Sequence, residues 1–92
     1  MHGGSAMSGG WAVQVGAFGN QSQAHAATGA AKQRAGDPLD GARQTVTSVN
    51  QGRGKLWRAR LTGLSRDSAV EACQKLNRSR TGCIVLSPDS QS

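Results

Sequence analysis

A segment of strand-like alternation occurs twice in this chain, 46 residues apart, and each copy runs into a helix-like stretch. The first copy is Trp11-Ala12-Val13-Gln14-Val15-Gly16-Ala17-Phe18 and the second is Trp57-Arg58-Ala59-Arg60-Leu61-Thr62-Gly63-Leu64. At that offset Trp11 meets Trp57, Val13 meets Ala59, Gln14 meets Arg60, Val15 meets Leu61, Phe18 meets Leu64 and Ser22 meets Ser68. Apolar residues on every second position mark a strand with one buried face. Two strand-helix units in tandem are an internal duplication, which restricts the architecture more than any composition figure.

Between and after the two copies the chain supplies the remaining elements. Asn20 or Ser22 can cap an Ala-rich helix over about Gln21 to Ala35, which Gly36-Asp37-Pro38 ends, because the residue before proline disfavours the helical conformation. The stretch 37–42 reads as a loop. Residues Arg43 to Val49 are rich in β-branched types and read as a second strand. The turn cluster Asn50-Gln51-Gly52-Arg53-Gly54 joins it to a third strand, Lys55 to Thr62, in a hairpin. Ser65 caps a second helix whose apolar positions Ala69, Ala72, Cys73 and Leu76 follow i, i+3, i+4, i+7. Thr81-Gly82 ends that helix, and Cys83 to Leu86 is a last strand.

The order βαββαβ predicts an α+β domain of ferredoxin or RNP-like type: a four-stranded antiparallel sheet with both helices on one face. Residues 1–10, small and Gly/Ser-rich, read as a flexible leader or linker; residues 11–86 form the domain, and 87–92 a polar tail. Ninety-two residues with 36% apolar and 3% aromatic content must build a marginal core from Ala, Val and Leu. No apolar run approaches the ~20 residues that cross a bilayer, and no secretory signal is evident, so any export signal would belong to a longer parent protein.

The uncovered sheet face is where function is expected. If Val13, Val15, Ala59 and Leu61 point to the helices, then Gln14, Gly16, Arg58 and Arg60 point away from them. Arg43, Arg53 and Lys55 add charge nearby, and the net charge of +6 suits an anionic partner. Trp11 and Trp57 share the inward parity, which favours core packing, yet both begin strands and could lie over the sheet edge. Catalysis has no basis: His25 is expected to face solvent, Asp37 and Asp40 read as turn residues, and Asp67 favours a helix start. Gly52-Arg53-Gly54 is a hairpin tip, not a phosphate loop. We expect a non-enzyme with no cofactor and no metal, since two Cys and His25 do not make a four-ligand set.

Trp-Ala-Val-Gln-Val-Gly-Ala-Phe at Trp11 to Phe18 resembles the opening signature of the SPOR domain (sporulation-related repeat), a bacterial peptidoglycan-binding module. Trp57-Arg58-Ala59-Arg60-Leu61 resembles that family's second signature, an aromatic followed by alternating arginine and aliphatic residues. The similarity runs from Trp11 to Leu86. It departs after Leu61, where the family usually has Gly-Pro-Phe and this chain has Thr62-Gly63-Leu64.

The resemblance implies binding to septal peptidoglycan, preferably to glycan strands stripped of their stem peptides, by a monomeric domain that targets a larger envelope protein to the division site. It places the ligand across the open face at Gln14, Gly16, Ala17, Trp57, Arg58 and Arg60. Removing the stem peptide frees a carboxylate on each muramic acid, which the arginine fork suits. Gln14 offers both a donor and an acceptor, Trp57 an apolar platform if exposed, and Gly16 a close approach to the backbone. In the expected periplasmic setting Cys73, on the buried stripe, and Cys83, at the start of the strand beneath it, could form a disulfide. The alternative is two buried thiols. The rival function is an RRM-like nucleic-acid module, which shares the strand order and uses the same face. That class stacks bases on sheet aromatics, and the outward positions here carry none, so no nucleic acid is expected.

Overall fold

The computed structural model describes residues 9–91. Its elements are β1 (Trp11–Phe18), α1 (Gln21–Ala35), a 3-10 turn (Asp37–Leu39), β2 (Arg43–Gln51), β3 (Gly54–Leu64), α2 (Arg66–Arg78), β4 (Ile84–Leu86) and a second 3-10 turn (Pro88–Gln91). The four strands form one antiparallel sheet in the order β2-β3-β1-β4, as the βαββαβ reading requires. The duplicated strands β1 and β3 are the central pair.

Local chemistry sets the element ends. The Asn20 side chain accepts from the Gln23 amide at 2.8 Å and caps α1. Gly36, at φ 68°, closes that helix with its N–H on the Lys32 carbonyl. The Ser65 hydroxyl accepts from the Ser68 amide at 3.1 Å and caps α2. This helix stops at Arg78, three residues before the Thr81-Gly82 pair. Arg80 takes a left-handed conformation, φ 62°, and the Thr81 amide returns to the Leu76 carbonyl. The β2–β3 hairpin is longer than the β-branched run implies. Its strands extend to the Gln51–Gly54 pair, and only Gly52 and Arg53 remain as the loop. Positive φ at Gly52 (59°) and not at Arg53 is the II′ pattern, whose twist matches that of the flanking strands.

Both helices pack on one face. The core cluster joins Val13, Val15, Ala59, Leu61 and Leu64 of the sheet to Ala24, Ala31 and Ala35 of α1 and to Ala69, Ala72, Cys73 and Leu76 of α2. Leu39 belongs to it as well and is fully buried, so the stretch that reads as a loop contributes a large core side chain. Thr28 is the one buried polar residue among those described; its hydroxyl lies 2.7 Å from the His25 carbonyl and 3.1 Å from Gln44 Oε1. Cys73 and Cys83 are joined in a disulfide, Cα atoms 5.2 Å apart, tying α2 to the entry of β4.

Of the segment read as a leader, residues 1–8 lie outside the described residues. Gly10 is described, and its carbonyl accepts from Gln91 Nε2. The polar tail folds back as the second 3-10 turn, held where Gln91 Nε2 also donates to the carbonyls of Leu86 and Ser87.

Candidate functional site: the uncovered sheet face

Register decides which side chains reach the uncovered face. Gln14 stands opposite Arg60, and Val13 opposite Leu61. The next pair is Gly16 with Ala59, so Val15 is an extra residue in β1. Such a bulge puts two residues against one and resets the side-chain alternation beyond it. Gly16 therefore shares the helix-facing side with buried Ala59, and Ala17 turns outward beside Arg58. The expectation that Gly16 faces outward is corrected here. A Cβ on Gly16 would stand 2.7 Å from Cζ of Phe18. The missing side chain makes room for the Phe18 ring, which packs against the core, and leaves no gap on the open face.

A second irregularity, between Trp11 and Val13 in the β1–β3 pairing, places the extra residue in β3 at Thr62-Gly63, where Gly63 has φ 79°. It brings Trp11 opposite buried Leu64, on the helix side, under the Arg66 guanidinium at 6.0 Å from the ring centre. Trp57 is on that side too, paired with Phe18, half-buried against the core and with Lys55 Nζ 5.9 Å from its ring centre. All three aromatic residues of the chain thus lie away from the uncovered face. Trp57 does not join the outward arginines.

What does gather there is a lateral row. Thr45 pairs with Arg60, Arg60 with Gln14 and Gln14 with Ile84, one residue from each strand at one level. A second row, Thr47, Arg58 and Ala17, lies beside it. Arg60 Nε donates to Gln14 Oε1 at 2.9 Å, and Nη1 donates to the Gln91 carbonyl at 3.2 Å. The guanidinium is thereby fixed from two sides, and among the described residues Nη2 has no hydrogen-bond partner. Its partial burial, and secondarily the neighbouring charge of Arg58, hold the Arg60 pKa below its ordinary value. The group stays cationic. Four basic residues lie on the strands, while all five Asp and Glu side chains lie on helices, turns or loops. An anion on the uncovered face would meet the charges of Arg58 and Arg60 together.

The sequence-predicted residues Gln14, Ala17, Arg58 and Arg60 are brought together; Gly16 and Trp57 face the other way. Arg43 also lies on the uncovered side, opposite Thr62. Reading the sequence missed Thr45, Thr47 and Ile84. The alternation of β2 carried the signal for the two threonines. For Ile84 there was none, because a three-residue apolar strand has no alternation to read. Among the described residues no cluster of His, Cys, Asp or Glu could hold a metal, and no helix is long and apolar enough to cross a membrane.

A βαββαβ module with a polar, cationic, uncovered sheet and no aromatic stacking platform is the class that the fold and this face define. The family model of the SPOR domain matches residues 8–87, and the chain belongs to that family. Its members are binding modules that bind peptidoglycan, found in cell-envelope proteins involved in division. The chain is similar to the crystal structure of the RlpA SPOR domain from Pseudomonas aeruginosa, with a TM-score of 0.60 and 25% identity, covering 86% of this chain and 100% of that one. A comparison with curated proteins gave no match.

Proposed function

We propose that this domain binds peptidoglycan glycan strands that have lost their stem peptides, and so directs a parent protein to the division septum in the periplasm. The observation that carries the reading is the Arg60–Gln14 bond at 2.9 Å on a sheet that bears four basic residues and no acidic one. Stem-peptide removal hydrolyses the amide on the muramic acid lactyl group and leaves a carboxylate there. A stripped strand is then a polymer with an anion on every second sugar. Arg60 and Arg58 match that charge, and a charge-assisted hydrogen bond is shorter and stronger than a neutral one. An intact strand ties that carboxyl up in an amide and offers the arginines no anion at the lactyl position; its remaining carboxylates lie out along the stem peptide. Gln14, already holding Arg60 through its oxygen, keeps its NH2 donors for acetamido or hydroxyl groups.

The test is retention of the domain on insoluble sacculi before and after an amidase strips the stem peptides. Stronger retention on stripped sacculi is expected, falling at least about tenfold in Gln14→Ala/Arg60→Ala, since each lost charged hydrogen bond is worth roughly 1.5–3 kcal/mol. Equal retention on both preparations would remove the preference for stripped strands. No retention on either, with nucleic-acid binding that collapses as salt rises, would replace the reading altogether.

A further inference from the structure

We infer that the glycan strand lies across the β-strands, along the row Thr45, Arg60, Gln14 and Ile84, with the Ile84 side chain under the apolar face of a sugar ring. The inference rests on the glycan reading above and adds the direction of the ligand and one contact residue. Three observations carry it.

First, Ile84 is 60% exposed, the most exposed large hydrophobic residue among those described, and it directly neighbours Gln14 in the β1–β4 register. Ile84 faces the uncovered side, because Val85, the next residue, packs on the core. Second, the way along β1 is closed. Ala12, two residues before Gln14, is fully buried although it is absent from the helix-side core cluster. The 3-10 turn Pro88–Gln91 lies against β1 there, and the Gln91 carbonyl meets Arg60 from the same side. Third, in the other direction β1 offers only Ala17 beyond its bulge, and β4 has no residue, because Ile84 is its first.

A chain ligand that touches both Arg60 and Gln14 and clears the turn thus leaves the sheet over β4. The row spans about 14 Å between its outer strands, three strand spacings of roughly 4.8 Å. Sugars carry axial C–H groups on one face and hydroxyls at the rim. A branched aliphatic side chain beside a glutamine amide presents matching chemistry: apolar contact under the ring and hydrogen bonds at its edge. In the free domain this isoleucine is hydrated, and covering it releases that water.

Ile84→Thr tests this directly, since threonine keeps β-branching and removes apolar contact. Retention on stripped sacculi is expected to weaken about fourfold, the effect of roughly one buried methylene. Ile84→Val should fall between Ile84→Thr and the unsubstituted domain, and all three should melt within a few degrees of one another. Leu56→Thr, on the same face at the far end of β3, should bind like the unsubstituted domain. Loss in Leu56→Thr without loss in Ile84→Thr would mean that the ligand runs along β3 and would overturn the inference. Unchanged binding in both variants, with loss in Gln14→Ala/Arg60→Ala, would overturn it and leave the glycan reading standing. An unsubstituted domain that ignores stripped sacculi would end both.

Discussion

Reduction of the Cys73–Cys83 disulfide should lower the melting temperature of this domain by roughly 11–22 °C. Seven of the fourteen residues in the buried core cluster are alanine, so little apolar volume holds the two helices to the sheet. The bridge spans a sequence separation of 10 residues. Loop-closure entropy for a ring of that size gives about 2.7 kcal/mol of stabilisation through the unfolded chain. For a domain of 60–100 residues each kcal/mol shifts the midpoint by about 4–8 °C, which gives the stated range. Reduction is a cleaner perturbation than substitution, because both sulfurs stay in place; Cys73 is buried and its packing survives the loss of the covalent bond. The assay is far-UV circular dichroism on heating, with and without a phosphine reductant, after confirming by thiol titration that the bond has opened. A shift under about 5 °C with the bond fully opened would refute the reasoning, showing that the Ala-rich core suffices without the covalent closure.

Two glycines should respond oppositely to alanine. Gly29→Ala in α1, where a Cβ meets nothing within 4 Å, should stabilise the domain by up to about 1 kcal/mol through helix propensity. Gly16→Ala should destabilise it by roughly 1–3 kcal/mol, because the new methyl group would collide with the Phe18 ring; chemical denaturation of both variants checks the signs. Deleting residues 88–92 uncovers Ala12 and removes the Gln91 contacts to Arg60 and Gly10. A loss of roughly 1–2 kcal/mol with the fold retained is expected in the same assay, from about one charged hydrogen bond and a small apolar area.

How far the sequence alone reached is explained by where each signal resides. Alternation and the 46-residue repeat sufficed for β1, β3 and the βαββαβ order, since both depend on spacing along the chain. The inward parity of Trp57 was legible in the same way, and the structure packs that ring on the core. Gly16 was not legible. Val13, Val15 and Ala17 alternate without interruption, so only the pairing with β3, which sets two residues of β1 against Ala59, reveals the reversal. Leu39 sits in a proline-bearing turn with no periodicity, and its burial depends on α2 closing over it. Ile84 acquires its meaning from Gln14, 70 residues earlier, through a register that no local pattern encodes.

The duplication also accounts for where the candidate site lies. Copies of one strand paired antiparallel are related by an approximate twofold axis, and equivalent residues meet only where that axis passes. Here the residues equivalent by the 46-residue offset that stand opposite each other are Gln14 and Arg60. The axis therefore runs between the amide and the guanidinium of the candidate site, and it exchanges β2 with β4, hence Thr45 with Ile84. Two identical halves would present a ligand with the same group on both sides. This chain instead sets a cation against an amide at the centre and a hydroxyl against an apolar side chain at the flanks. A symmetric scaffold has been given a polar end and an apolar end. That asymmetry suits a ligand with unlike ends, and a glycan strand, whose sugars alternate and whose linkage has a direction, is one.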